Sequence, residues 1–324
     1  MEVLNKYNEA LTVRLRSAVS KKEPKQLYEP IQYILSLGGK RIRPALTLMV
    51  CEFFGTEFKK AIPAALAVEL FHNFSLMHDD IMDQAPLRRG KTSVHEKWDV
   101  NTAILSGDAM LILAYRYFED YEPRIFQELA KLFSETALQV CEGQQFDMDF
   151  ETREDVQVVE YIQMIEQKTA VLLGAAMKMG AIVADASEED KEIMYQFGKN
   201  LGIAFQLQDD YLDVFGNPET FGKQVGGDII ANKKTFLYLI AEKKGSKAQT
   251  KELAHLFTIN PVEPKGKIDT VTKIFRDSKA DEASRMEIEK FSKKAYALLD
   301  KVNIPEDKKE LLRKFGENLM QRDV

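Results

Sequence analysis

Six aspartates are the residues best placed to do chemistry, in two five-residue words: Asp79-Asp80-Ile81-Met82-Asp83 and Asp209-Asp210-Tyr211-Leu212-Asp213. On a helix the first and last aspartates of each word are i and i+4 neighbours with carboxylates on one face, and the middle one turns about 100° away. Like charges so spaced cost a helix roughly a few tenths of a kcal/mol per pair. Beside Leu76, Met77, Phe205 and Leu207 that cost makes sense only if cations neutralise it. Oxygen-only ligands select Mg²⁺, Mn²⁺ or Ca²⁺. A single acidic word is commonplace at a solvated helix end, whereas two amid apolar runs indicate a pair of cation-binding clusters. Breakers follow both words, at Pro86 and Gly216, so each cluster falls near a helix C-terminus, where the macrodipole favours a bound cation.

Basic residues supply the complementary charge. Gly38-Gly39-Lys40-Arg41-Ile42-Arg43-Pro44 reads as a glycine turn entering a helix, with Lys40 and Arg43 one turn apart and able to converge on an anion. Alone it could be a solvated cap. Arg88-Arg89-Gly90-Lys91 follows the first acidic word in a Pro/Gly loop, and Gly222-Lys223 and Lys233-Lys234-Thr235 follow the second. Acidic helix ends followed by basic mobile loops describe a polyphosphate clamp, in which metals bridge carboxylates to phosphate oxygens and Lys or Arg neutralises the remainder. His72 precedes Asp79 by seven residues, almost two turns, and so points into the same region; His78 shapes the helix. Lys168-Thr169 and Gln206 are polar insertions in apolar stretches, with capping or solvent exposure as the plain alternative.

The elements that must position these groups are helices. Apolar residues recur at helical spacing, as in Leu66, Leu70 and Phe74 or Leu201, Phe205 and Leu212, strand-like alternation is scarce, and breakers fall between the runs. We expect an all-α chain of ten or more helices. No compositional shift marks a boundary, so residues 1–324 read as one domain, a single large antiparallel bundle around a central cavity in which the two words face a common ligand. The balance of 45 basic and 51 acidic residues, −6 overall, gives no support for a nucleic-acid partner. Cys51 and Cys141 stand in apolar helical runs and indicate neither a disulfide framework nor zinc. No apolar run approaches the roughly 20 residues of a membrane span, and no export leader opens the chain. A soluble cytoplasmic protein is expected.

In their order, Gly39-Lys40-Arg41-Ile42-Arg43-Pro44, Asp79-Asp80-x-x-Asp83, Arg88-Arg89-Gly90, Lys168-Thr169, Phe205-Gln206-x-x-Asp209-Asp210-x-x-Asp213, Gly222-Lys223 and Asp228…Lys233-x-Thr235 resemble the motifs of the trans-isoprenyl diphosphate synthases, or polyprenyl synthetases. The resemblance spans about residues 38–235; residues 245–324 carry no motif and complete the bundle as helices. A departure is Arg89-Gly90-Lys91-Thr92, where many members have a proline, which bears on loop stiffness. The resemblance implies the isoprenoid synthase type I fold, a homodimer, and head-to-tail condensation of isopentenyl diphosphate with an allylic diphosphate. It implies about three Mg²⁺ per active site, with Mn²⁺ able to substitute, held mainly by Asp79, Asp83 and Asp209 and supported by Asp80, Asp210 and Asp213. Arg88, Lys168, Lys223 and Lys233 would neutralise the allylic diphosphate. Lys40, Arg43, His72 and Arg89 would hold isopentenyl diphosphate, and Thr169 and Gln206, beside the allylic group, would turn oxygens toward the carbocation. The released diphosphate would take the final proton, and the Gly216 to Gly227 segment would be a lid.

Product length is legible from the helix of the first word. Phe74 lies five residues before Asp79, roughly 7.5 Å along the axis, and Phe71 eight before, roughly 12 Å. With Ser75 they form the expected floor of the cavity. Within the family, bulky residues at both the fourth and fifth positions before the first aspartate go with C15 products and small ones at both with long chains. Phe74 with Ser75 is intermediate, which implies geranylgeranyl diphosphate (C20), with farnesyl diphosphate (C15) as the alternative. A class I terpene cyclase would carry an Asn/Asp…Ser/Thr…Glu second motif and no need of Lys40, Arg43 and Arg89. A non-catalytic subunit would typically have lost one acidic word, and this chain keeps both.

Overall fold

Local signals in the chain set where its helices start and stop. Asp99 opens one by accepting the N–H of Thr102 at 2.9 Å, and Ser187 opens another, its hydroxyl accepting the N–H of Asp190 at 3.1 Å. The helix of the first acidic word begins at Ile62-Pro63, proline being tolerated in a first turn, and ends where the N–H of Asp83 bonds the carbonyl of Asp79 at 2.8 Å. The computed structural model describes residues 4–19, 23–217 and 225–320. In chain order the elements are α1 (Asn5–Ala18), α2 (Lys25–Ser36), α3 (Ile42–Phe53), α4 (Ile62–Met82), β1 (Leu87–Arg88), β2 (Lys91–Thr92), α5 (Val94–Lys97), α6 (Val100–Arg116), α7 (Pro123–Thr152), α8 (Val158–Ile165), α9 (Val171–Val183), α10 (Glu188–Phe215), α11 (Gly227–Ile230), α12 (Phe236–Lys244), α13 (Lys247–Leu256), α14 (Lys265–Asp277), α15 (Ala280–Leu299) and α16 (Glu306–Met320). A π-helical segment, Glu166–Ala170, joins α8 to α9. The all-α reading therefore holds.

The chain forms two compact units, Met1–Ser134 with Ala175–Glu192 and Glu135–Gly174 with Ile193–Val324, and passes between them within α7, α9 and α10. In the first unit α4 packs against α3 and α6, burying Leu46, Met49, Leu66, Val68, Leu70, Phe71 and Met110. In the second, Phe150, Tyr161, Met164, Leu207, Leu212, Phe236, Leu237, Ile274 and Phe291 belong to one core. Each unit carries one acidic word.

The basic loop after the first word departs from expectation. It is a two-residue hairpin, β1 paired antiparallel with β2 as Leu87↔Thr92 and Arg88↔Lys91. Its corner residues Arg89 and Gly90 have φ of 53° and 73°. That double left-handed corner is what a tight hairpin needs, and strands this short leave no alternation to read. Of the expected lid, residues 218–224, Lys223 among them, lie outside the described residues. The returning chain is tied to the second word: Asp228 N–H donates to Asp213 Oδ2 at 2.9 Å.

Candidate active site

In the first unit the acidic word closes α4. Asp80 is 1% exposed and accepts from Arg88 through both Nε, at 2.9 Å, and Nη2. Its second oxygen is buried with no hydrogen-bond partner. Arg88 Nη2 also stands 3.9 Å from Asp79. Burial works against the Arg88 charge, but the hydrogen bond to Asp80 and the charges of Asp80, Asp79 and Asp83 outweigh it and raise its pKa. Arg88, expected to meet a diphosphate, is thus held by the carboxylates it follows. His78 reaches from α4 to α6, its Nε2 lying 3.1 Å from the carbonyl of Ile104.

On the same helix, further from its end, a basic cluster assembles. Arg43 Nη1 lies 3.5 Å from His72 Nε2. Burial, then the charges of Arg43, Arg89 and Arg88, push the His72 pKa well below the usual range, so the ring is neutral. Gly39, at φ 131°, adopts a backbone that favours glycine, and it lies close under the Arg89 guanidinium, where a Cβ would stand 2.8 Å away. The neighbouring Lys40 carbonyl accepts from Asn8 at 3.4 Å, and Arg41 donates to Thr12 Oγ1 at 2.6 Å. Arg43 of α3, His72 of α4 and Arg89 of the hairpin corner thus come together, with Lys40 in the loop that leads into α3. Sequence reading missed Glu69, the buried carboxylate among these cations. Asn73 donates to Glu69 Oε1 at 3.1 Å; burial raises the Glu69 pKa, against Asn73, Arg41, Arg89 and Arg43, which lower it. An acidic residue inside Ala-Val-Glu-Leu-Phe, one turn before His72, was the available signal.

The residues expected to form the floor belong to a cluster of tilted and edge-to-face rings. Phe71 and Phe74 rings lie 5.5 Å apart, Phe71 meets Phe133 at 5.2 Å, and Phe133 meets Phe118 at 5.2 Å. Phe74 contacts the His78 ring at 4.7 Å. Ser75 turns its hydroxyl back to the His72 carbonyl at 2.9 Å and presents no bulk.

In the second unit a cavity of about 180 Å³ is lined by Lys168, Thr169, Gln206, Asp209, Asp210, Asp213 and Lys233, together with Asp147, Tyr161 and Asp228. Lys168 and Thr169 belong to the π-helical segment, a form that recurs at functional sites because the extra residue per turn re-aims side chains. Two glycines admit it: a Cβ on Gly143 of α7 would overlap the Lys168 backbone nitrogen, and one on Gly202 of α10 would stand 2.7 Å from Ala170 Cα. Lys168 Nζ pairs with Asp147 Oδ2 at 2.5 Å. Thr169 Oγ1 donates to Gln206 Oε1 at 3.3 Å, and Gln206 Nε2 donates to Asp210 Oδ1 at 3.0 Å. Thr169 and Gln206 are half-buried and bonded to each other across helices, so neither serves as a cap. Tyr161 donates to the other oxygen of Asp210. Burial and the nearby charge of Asp228 push the Asp210 pKa up, while the bonds from Tyr161 and Gln206 pull the other way. Tyr161 and Asp147 were missed because their partners lie on other helices; a lone Tyr on the apolar face of α8 was the only cue.

Among the described residues no three His, Cys, Asp or Glu side chains close into a ready-made metal cage. The donors are all oxygen, and Asp80 Oδ2 is a buried acceptor still lacking a hydrogen-bond donor, so these residues fit a hydrated hard cation.

The model of the Polyprenyl synthetase family matches residues 24–275. The geranylgeranyl diphosphate synthase of Methanosarcina mazei is 42% identical over 226 residues, 69% of this chain and 70% of that one. A geranylfarnesyl diphosphate synthase of Aeropyrum pernix is 34% identical over 307 residues, 92% of this chain and 95% of that one. A crystal structure of a geranylgeranyl pyrophosphate synthase, 51% identical, superposes over 100% of both chains with a TM-score of 0.95. The chain belongs to the polyprenyl synthetase family and has its all-α fold.

Proposed function

We propose that this member of the family is a prenyltransferase that joins isopentenyl diphosphate head to tail to dimethylallyl, geranyl or farnesyl diphosphate and stops at geranylgeranyl diphosphate. The observation that carries the reading is the composition of α4. It ends in the acidic word, and one to two turns earlier bears the Phe74 and Phe71 rings, backed by Phe133. A chain growing from the aspartates along this helix meets a wall after a short run. The small Ser75 and the geranylfarnesyl diphosphate synthase among the relatives favour C25 as the second reading; a C15 stop would place the wall nearer the aspartates.

In this mechanism Asp79, Asp83 and Asp209 would hold the Mg²⁺ ions, about three in number, and Asp80, Asp210 and Asp213 would support them. When bound, the Mg²⁺ ions supply Lewis-acid polarisation of the leaving diphosphate. Arg88, anchored by Asp80, and Lys168, anchored by Asp147, neutralise that diphosphate with Lys233; Lys223 would join them from outside the described residues. Lys40, Arg43 and Arg89 grip isopentenyl diphosphate by charge, and His72, held neutral, adds one N–H donor. Thr169 and Gln206 turn neutral oxygens toward the developing allylic cation, stabilising it by dipoles without forming a bond to it. The proton released after C–C bond formation passes to the departed diphosphate. No described helix is long and apolar enough to cross a membrane; a cytoplasmic homodimer is the assembly we propose.

The test supplies purified protein with Mg²⁺, isopentenyl diphosphate and each allylic primer in turn, followed by mass analysis of the dephosphorylated alcohols. A C20 alcohol from all three supports the reading. C25 or C15 moves the floor, and absence of any prenyl product overturns the assignment.

A further inference from the structure

Asp210 is a carboxylate whose two oxygens are both occupied by protein donors, the Tyr161 hydroxyl on Oδ2 and the Gln206 amide nitrogen on Oδ1 at 3.0 Å. Asp210 is 5% exposed and Tyr161 3%. A carboxylate held from both sides cannot rotate without breaking a buried hydrogen bond, and an unmade buried bond costs about 1–3 kcal/mol. A carboxylate oxygen only accepts, so while Asp210 Oδ1 is held toward Gln206 the amide must turn its Nε2, and not its Oε1, to it. With Nε2 turned to Asp210, Oε1 is turned to Thr169, which donates to it at 3.3 Å; the hydroxyl, its proton so committed, keeps its lone pairs for the cavity. The backbone on either side of Thr169 is closely packed, since a Cβ on Gly143 would stand 2.3 Å from the Lys168 nitrogen and one on Gly202 2.7 Å from Ala170 Cα.

We propose that Tyr161 is a positioning residue for prenyl transfer: through Asp210 it fixes the Gln206 amide so that oxygens, and not an NH₂ group, are offered to the allylic cation. An inverted amide would present its positive end where positive charge develops, reversing the sign of that dipole's contribution. Tyr161 touches no reacting atom in this scheme. It rests on the proposed function, and the test separates the two.

Tyr161→Phe removes one hydroxyl and keeps the ring. Steady-state kinetics should show kcat lowered roughly tenfold or more, with KM for isopentenyl diphosphate and for the allylic diphosphate each within about twofold of the parent. Gln206→Leu should lower kcat by at least as much, and Tyr161→Phe combined with Gln206→Leu should fall no further than Gln206→Leu alone, because Tyr161 acts only through that amide. A merely structural tyrosine would instead give effects that multiply in the double variant; the unfolding midpoint falls in either case, because the buried bond to Asp210 is lost. Multiplying effects, unchanged kcat in Tyr161→Phe, or a change confined to KM would overturn the proposal while leaving the synthase reading intact. A parent chain that forms no prenyl diphosphate would overturn both.

Discussion

Replacing Phe74 by alanine tests how α4 measures the product. Phe74 is half-buried, with its ring 5.5 Å from that of Phe71 and 4.7 Å from the His78 imidazole; Phe71 behind it is 1% exposed. A fully buried Phe→Ala change costs about 3–5 kcal/mol. For a half-buried ring losing two such contacts we expect about 2 kcal/mol, which a domain of this size should tolerate. The stop then retreats from residue 74 to residue 71, about 4.5 Å of helix rise, close to the length that the four skeletal bonds of one isoprene unit add to an extended tail. Phe74→Ala should therefore convert a C20 product to C25 and go no further while Phe71 and Phe133 stand. Phe71→Ala alone should leave the product at C20, because Phe74 is met first, and the double variant should exceed C25. Mass analysis of dephosphorylated products from farnesyl diphosphate reads all three. An unchanged product from Phe74→Ala, or lengthening by Phe71→Ala alone, would refute the order of the two rings along the tail.

Other perturbations have equally definite outcomes. Arg88→Ala strands the buried Asp80 carboxylate, and chemical denaturation should show a loss of about 3 kcal/mol, along with a raised KM for the allylic diphosphate. Gly143→Ala drives a methyl into the Lys168 backbone nitrogen; overpacking of this kind costs about 1–3 kcal/mol, and kcat should fall with the melting temperature. Because His72 has a folded pKa below its unfolded value of about 6.5, the unfolded chain binds more protons below that pH. Its contribution to stability is therefore complete above about pH 6.5 and lost as pH falls, by up to about 1.4 kcal/mol per pH unit; thermal melts at pH 7.5 and 5 should show a smaller drop for His72→Gln than for the parent. Chelation of divalent cations should abolish turnover yet shift the melting temperature little, since the folded chain already spreads its carboxylates among protein partners such as Arg88, Tyr161 and Gln206.

What the sequence disclosed was what is encoded locally. The end of α4 at Asp83 and of α10 near Asp213 follows from Pro86 and Gly216 just beyond them, and the shared face of Phe71 and Phe74 follows from their i, i+3 spacing. What stayed hidden depends on partners distant in the chain. Nothing near Tyr161 announces Asp210, nothing near Lys168 announces Asp147, and nothing near Gly39 announces the Arg89 guanidinium, fifty positions on. The hairpin Leu87–Thr92 escaped because two-residue strands have no period, and the π-helical turn because one surplus residue only dephases an otherwise helical pattern. The resemblance implies a diphosphate role for Arg88, but nothing in the local sequence shows that its guanidinium also pairs with the buried Asp80.

Along α4 stand Glu69 and His72 of the basic cluster, Phe71 and Phe74 of the aromatic cluster, and Asp79, Asp80 and Asp83 of the acidic word. They share one rigid rod, so their spacings are not separately adjustable. Inserting or deleting one residue between Glu69 and Asp79 would swing everything on one side of the lesion by about 100° relative to the other, misaligning recognition, measurement and catalysis at a stroke. Lineages descended from such a rod can vary the length of what they make only by exchanging side chains at fixed stations. Product diversity in chains built this way should be written in substitutions within this segment, with insertions and deletions confined to the turns around it.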